Sequence, residues 1–179
     1  MANPNAAFGL NPIGKVGQNR DSQGLSEYNI AASSAAIYQN DPVTAATTGY
    51  ITVAATTDQL LGSLNGVFFT NASTKKPTWA NNLAASNTAT DIVGYVTDDP
   101  YERYEVQASG ALAIADIFLN GNVVYTAGSS ANFVSKVQIN TTALAASTGA
   151  QMRVIGVSKD NSRNELLNAT TYSTNVVVT

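Results

Sequence analysis

Two residue types are missing from this chain altogether: it has no cysteine and no histidine. Without cysteine there are no disulfides, thiolate metal sites or thiol nucleophiles. Without histidine there is no His-based triad, no imidazole ligand and no imidazole acid or base. The commonest catalytic machinery is thereby excluded, while hard-cation sites built from carboxylates stay open. Charge is scarce too. Nine Lys and Arg stand against twelve Asp and Glu, a net charge of −3 with 12% of residues charged. Nucleic-acid binders usually carry a basic stripe, whereas Lys75-Lys76 is the only adjacent basic pair here. No apolar run approaches the length of a membrane span. The opening Met1-Ala2-Asn3-Pro4-Asn5 has neither the basic nor the apolar region of a signal peptide, so synthesis and use without Sec export are expected.

What is present points to a folded domain. Apolar residues make up 44% of the 179 residues, with eight Tyr and five Phe. A chain of this length fits one domain and buries about two-thirds of its unfolded surface. Few charges and many Ala, Thr, Ser and Asn suit close packing against other protein chains. The same composition also fits an ordinary β-rich domain with a bland surface.

Residues 1–27 differ from the rest. They hold Pro4, Pro12 and four glycines, and their apolar residues occur singly, without a period of 2 or 3.6. They read as an extended arm, residues 28–179 being a β-rich body. From Tyr28 the texture is strand and turn. Strands are expected over 49–54, 67–70, 92–96, 103–107, 111–115, 123–125, 133–139, 152–157 and 172–178. Asn65-Gly66 and Asn120-Gly121 are turn signals. Helix signals are confined to one turn at Thr57–Gly62 and a capping-box spacing at Ser162–Glu165. The segment Asn71 to Thr90 reads as a long exposed loop. Trp79 within it either pins that loop to the body or projects into an interface. The fold class is therefore all-β: a compact β-sandwich or β-barrel of roughly nine short strands, with an extended N-terminal arm and at most short helical turns.

The densest acidic group is Asp98-Asp99-Pro100-Tyr101-Glu102. Paired carboxylates can do acid–base work or hold calcium, but no calcium-loop spacing is present. Asp99-Pro100 reads as a turn, with Glu102 and Glu105 outward or at an edge. No nucleophile elbow, P-loop or dinucleotide fingerprint occurs, so neither an enzyme nor a cofactor is expected. The sequons at Asn71, Asn140 and Asn168 are what chance supplies in an Asn- and Thr-rich chain.

The opening, Met1-Ala2-Asn3-Pro4-Asn5-Ala6-Ala7-Phe8-Gly9-Leu10-Asn11-Pro12, resembles that of the capsid decoration, or cement, proteins of tailed bacteriophages. Members tend to begin M-A-N-x-N-x-x-F-G-[LF]-x-P. Tyr28-Asn29-Ile30-Ala31 and Ile37-Tyr38-Gln39-Asn40-Asp41-Pro42-Val43 are similar to the stretch that follows, with Asn40 where that family has glycine. Tyr104-Glu105-Val106-Gln107-Ala108 resembles an F-x-V-Q-A strand. Met152-Arg153-Val154-Ile155-Gly156-Val157, with Asn161 and Asn164, resembles a later strand and turn. Phe118 stands near another expected glycine, and the arm beyond Pro12 lacks the usual basic and aromatic residues.

The resemblance implies a structural virion protein on the outer capsid surface, made in the host cytoplasm. Its partner would be the major capsid protein, and its copies would group as trimers, with no nucleic acid or membrane involved. The capsid-binding residues would be Phe8, Leu10, Pro12 and Ile13 of the arm. Deleting the arm should then abolish binding and leave the body folded. With no histidine, any weakening of attachment between pH 5 and 8 should come from the partner. The alternative is a virion-surface carbohydrate-binding or adhesive module using Trp79. A carboxylate hydrolase around Asp98 and Glu102 has no motif behind it.

Overall fold

Thirteen strands form in a computed structural model that describes residues 5–17, 25–146, 149–158 and 175–179, with 175–177 as backbone only; the longer ones are rich in β-branched and aromatic residues. In chain order they are β1 (Asn11–Lys15), β2 (Ser26–Asn29), β3 (Pro42–Ala45), β4 (Ile51–Val53), β5 (Gly62–Thr70), β6 (Pro77–Ala80) and β7 (Val93–Thr97). There follow β8 (Glu102–Gln107), β9 (Asn120–Gly121), β10 (Val123–Val124), β11 (Gln138–Ile139), β12 (Met152–Val157) and β13 (Asn175–Val178). The only helical element among the described residues is a 3₁₀ turn, Ile114–Asp116. Met1–Pro4, the capping-box segment Ser162–Glu165, Asn161, Asn168 and residues 172–174 lie outside the described residues.

The protein is all-β. One five-stranded sheet runs in the order β1-β8-β13-β12-β9, and a six-stranded sheet runs β2-β7-β5-β3-β4 with β6 also paired to β5. Strands β10 and β11 form a separate ribbon. All of these pairings are antiparallel. Both large sheets keep open edges and neither closes on itself, so a barrel is not formed among the described residues and the arrangement is compatible with a sandwich.

Each large sheet has its own core. Against the five-stranded sheet, Tyr104, Val106, Met152, Val154 and Val178 pack with Leu10, Leu112, Val123, Val137 and Ile139. Against the six-stranded sheet, Val43, Ile51, Leu64, Val67 and Val96 pack with Ile30, Ile37, Leu83, Ala89 and Ile92. In the second core, half of the aliphatic side chains come from irregular segments laid over the sheet. Burying each Val, Leu or Ile side chain stabilises the fold by about 1.5–3 kcal/mol.

Several local expectations change. Asn65-Gly66 is not a hairpin turn. The register of β5 against β7 shifts between Leu64 and Gly66, a bulge that lets one nine-residue strand serve two partners. Asn120-Gly121 is itself the short strand β9. Residues 111–115 are a loop entering the 3₁₀ turn, because Leu112 alone is buried there and nothing pairs with its backbone as a strand. Of 133–139 only Gln138–Ile139 is strand, while Val134 makes a lone parallel bridge to Gln39. The expected helical turn at Thr57–Gly62 is not formed: the hydrogen-bonded turn is Ala55–Asp58, where the Asp58 carboxylate accepts the Ala55 amide at 2.8 Å, and Gly62 opens β5. Strand β6 runs through the expected 71–90 loop.

Candidate functional site

The arm residues do not form a free arm. Asn11–Lys15 pair with β8 as the edge strand β1, and the register shift between Pro12 and Gly14 leaves Ile13 on a bulge. Leu10 is fully buried in the core of the five-stranded sheet. Just before it, Gly9 has φ +76°, and a Cβ there would collide with the Asn40 carbonyl oxygen and the Ser135 side chain. Only glycine fits both the dihedral and the space. The Leu10 amide donates to the Asn40 carbonyl at 2.9 Å, and the Asn40 Nδ2 donates to the Phe8 carbonyl at 3.2 Å. Asn40 itself has φ +64°, a left-handed conformation that Asn tolerates. The Phe8-Gly9-Leu10 motif is thus a lock into the chain's own body. Leu10 is corrected from partner contact to core residue, Phe8 and Pro12 are half-buried, and Ile13, at 45% exposure, is the arm candidate that faces solvent.

The lock rests on Asp41. Its carboxylate is buried, with Oδ2 accepting the Tyr38 amide at 2.8 Å and Oδ1 unpartnered. Its neighbours tie three segments together. Gln39 accepts the Ser135 amide at 2.9 Å, and Asn40 holds residues 8–10. Burial pushes the Asp41 carboxyl up to about 6, against the opposing pull of the Ser135 hydroxyl and the Tyr38 amide.

The acidic group forms the turn between β7 and β8, and its carboxylates hold strands together. Asp98 accepts hydrogen bonds from Ser26 Oγ at 2.9 Å and Tyr28 OH at 2.6 Å. Asp99 pairs with Lys15 at 2.7 Å and accepts the Tyr101 amide at 2.8 Å. Glu102 is buried rather than outward, and it accepts the Gly14 amide at 3.2 Å. Burial raises its carboxyl above the usual range. Among the described residues no three acidic side chains converge as metal ligands would, and no helix is long and apolar enough to cross a membrane. Two of the sequons are turns: Asn71 Oδ1 accepts the Ser73 and Thr74 amides, and Asn140 Oδ1 accepts the Thr142 amide.

Two surface features stand out. The first is a knuckle over residues 111–119. Its Ile114 and Phe118 are 64% and 69% exposed, the highest among the exposed large apolar side chains. Its one charged residue, Asp116, is turned to the backbone and accepts the Ala113 amide at 2.7 Å. Phe118 has φ +74°, although it is not glycine. The Phe118 amide donates to the Val154 carbonyl at 2.7 Å, which fixes the knuckle to β12. The sequence flagged Phe118 only as a missing glycine; the left-handed backbone is why glycine suits that position.

The second feature is aromatic. Trp79 lies on β6, directly opposite Phe68 of β5. Its six-membered ring rests on Gly66, where a Cβ would come within 2.6 Å of Cζ2. It reaches Tyr95 of β7, with ring centroids 4.9 Å apart and planes tilted by 56°. Trp79 therefore belongs to a strand and not to a loop, and it is braced on the body while 54% exposed.

No protein-family model, curated protein or solved structure matches this chain.

Proposed function

We propose that this chain is a structural virion protein of the decoration, or cement, type, which attaches to the outer surface of an assembled phage capsid and stabilises it. The knuckle carries the reading. A phenylalanine held in a left-handed conformation and projected into solvent is unfavourable in the isolated chain twice over, in backbone strain and in apolar exposure. Both features make sense if Phe118 and Ile114 fill an apolar pocket on another protein. Burying both gives a gross gain of about 3–6 kcal/mol per copy. Ile13 and Val16 at the β1 edge, with Tyr101 beside them, supply a second apolar contact.

The mechanism is association rather than reaction. A protein that binds the major capsid protein only in the closed shell stabilises that shell by mass action. Low charge leaves little to desolvate at such a contact. Grouping of the copies as trimers belongs to the same proposal. The test is co-sedimentation with empty capsids of the cognate major capsid protein, using Phe118→Glu, Ile114→Glu and Ile13→Glu variants checked for folding by circular dichroism. The knuckle variants should lose most of their binding, whereas binding equal to wild type in all three would refute the reading. The mass of the free protein in solution checks the trimer.

A further inference from the structure

We propose that the outer face of the six-stranded sheet at Trp79, Phe68 and Tyr95 is a carbohydrate-binding platform for uncharged sugar rings. The site is independent of the capsid-docking reading and rests on different residues.

The sheet register builds it. Phe68 faces Trp79 across β5 and β6, and Gly66 faces Tyr95 across β5 and β7. Val67 and Gly94 point into the core, so these four positions share the opposite, outer face. The bulge at Asn65 sets this phase, because it shifts the register just before Gly66. Gly66 leaves room for the indole, and Tyr95 closes one side of it. The result is a fixed aromatic surface. Trp79 is 54% exposed and Phe68 38% exposed, yet the indole is braced on two sides. A rigid aromatic loses little conformational freedom when a ligand settles on it.

The chemistry around the rings selects the occupant. The apolar C–H face of a sugar stacks on an aromatic ring while its hydroxyls need polar partners at the rim. Such partners are present. Glu27 is paired with Tyr95 across β2 and β7, and burial first and the Glu27 charge second raise the Tyr95 hydroxyl above its ordinary pKa. Asn81 and Gln39, 3.4 Å apart, lie past the end of β6. Nucleic-acid bases also stack on aromatics, but the ionic group beside Tyr95 is a carboxylate, which repels phosphate. The nearest cations in sequence, Lys75 and Lys76, are on the hairpin turn beyond Pro77.

The chain has a single tryptophan, so the emission of Trp79 reports occupancy directly. The probes are neutral hexasaccharides of glucose (α-1,4, β-1,4 and β-1,3 linked) and of N-acetylglucosamine, followed by a glycan array of neutral bacterial surface polysaccharides. We expect a saturable shift in emission with at least one neutral glycan. Trp79→Ala, read on the array or by calorimetry, should weaken binding by at least about tenfold. Gly66→Ala should weaken it while the tryptophan remains, because the new methyl displaces the indole from its seat. Circular dichroism and the denaturation midpoint separate lost binding from lost fold, and Phe68→Ser, a second variant on the exposed face, repeats the test if Gly66→Ala unfolds. No saturable binding to any neutral glycan overturns the proposal. So does binding that survives Trp79→Ala, or binding confined to anionic polymers or to single-stranded DNA.

Discussion

Replacing Asp41 with Asn should stabilise this protein at neutral pH, although it deletes the charge of a carboxylate that accepts the Tyr38 amide within a turn. Asp41 is fully buried, and only one of its carboxylate oxygens has a hydrogen-bond partner. Burial moves its ionisation from 3.8 to about 6. The folded chain thus binds this proton more tightly than the unfolded chain does. As pH rises from 3.8 to 6, the unfolded state gives up the proton first, so the contribution of Asp41 to stability falls through that window. Above it the folded state carries the whole penalty of a buried carboxylate. The two values differ by an amount equivalent to about 3 kcal/mol. Asn keeps an oxygen for the Tyr38 amide and offers an NH₂ toward the Ser135 hydroxyl. It should therefore recover about 2–3 kcal/mol at pH 7.5, or roughly 5–10 °C in melting temperature for a chain of this size. The assay is urea denaturation of wild type and Asp41→Asn from pH 4 to 8, followed by circular dichroism. The two stabilities should converge near pH 4 and separate above pH 6. A constant difference across the series, or a variant less stable than wild type at pH 7.5, would refute the reasoning.

Two further outcomes follow from the same hub and from the knuckle. Gly9→Ala should destabilise the fold by about 2–4 kcal/mol in chemical denaturation, because it combines a positive φ with a collision against Asn40 and Ser135. Phe118→Asn should do the opposite, raising stability by about 0.5–1 kcal/mol, since Asn tolerates the left-handed backbone and little packing is lost at so exposed a site. That variant should also bind capsids less well, so a joint measurement of melting temperature and co-sedimentation separates strain kept for docking from strain without a role.

Asp41 also bears on the pH expectation. With no histidine in the chain, any weakening of attachment between pH 5 and 8 is expected to come from the partner. A buried aspartate that ionises near 6 places a titrating group in that window, next to the residues that clamp 8–10. The arm truncation is recast for a related reason. Removing 1–27 would take away β1 and Leu10, so a loss of capsid binding could not be separated from a loss of fold. Point changes at exposed positions are the cleaner test.

Much of the body was legible because strand periodicity is local. Tyr104 and Val106 point inward with Glu105 less buried, as their alternation indicates. Strands with clean β-branched runs, such as β4, β7 and β12, fall where the pattern places them. Strands β1, β2, β3 and β6 were missed. Each is short, and β1, β3 and β6 contain proline; β1 and β2 are defined by distant partners, β8 and β7, whereas β3 and β6 pair with the neighbouring strands β4 and β5. The two exposed sites were visible only in fragments. Trp79 drew notice as an isolated aromatic and Phe118 as a replaced glycine, but Gly66, Tyr95 and Phe68 come to one face only through the register of β5 with its neighbours.

By itself, the sequence determined composition and its consequences: an all-β chain with no thiol or imidazole chemistry and few charges. Those follow from residue identity and local stereochemistry. The tertiary structure decided which groups are desolvated and which rings share a face. Burial turned Asp41 into a group that titrates near 6, drew Leu10 from a presumed docking arm into the core, and left Phe118 in solvent. Exposure and electrostatic environment depend on contacts between segments far apart in the chain, and no local pattern encodes them.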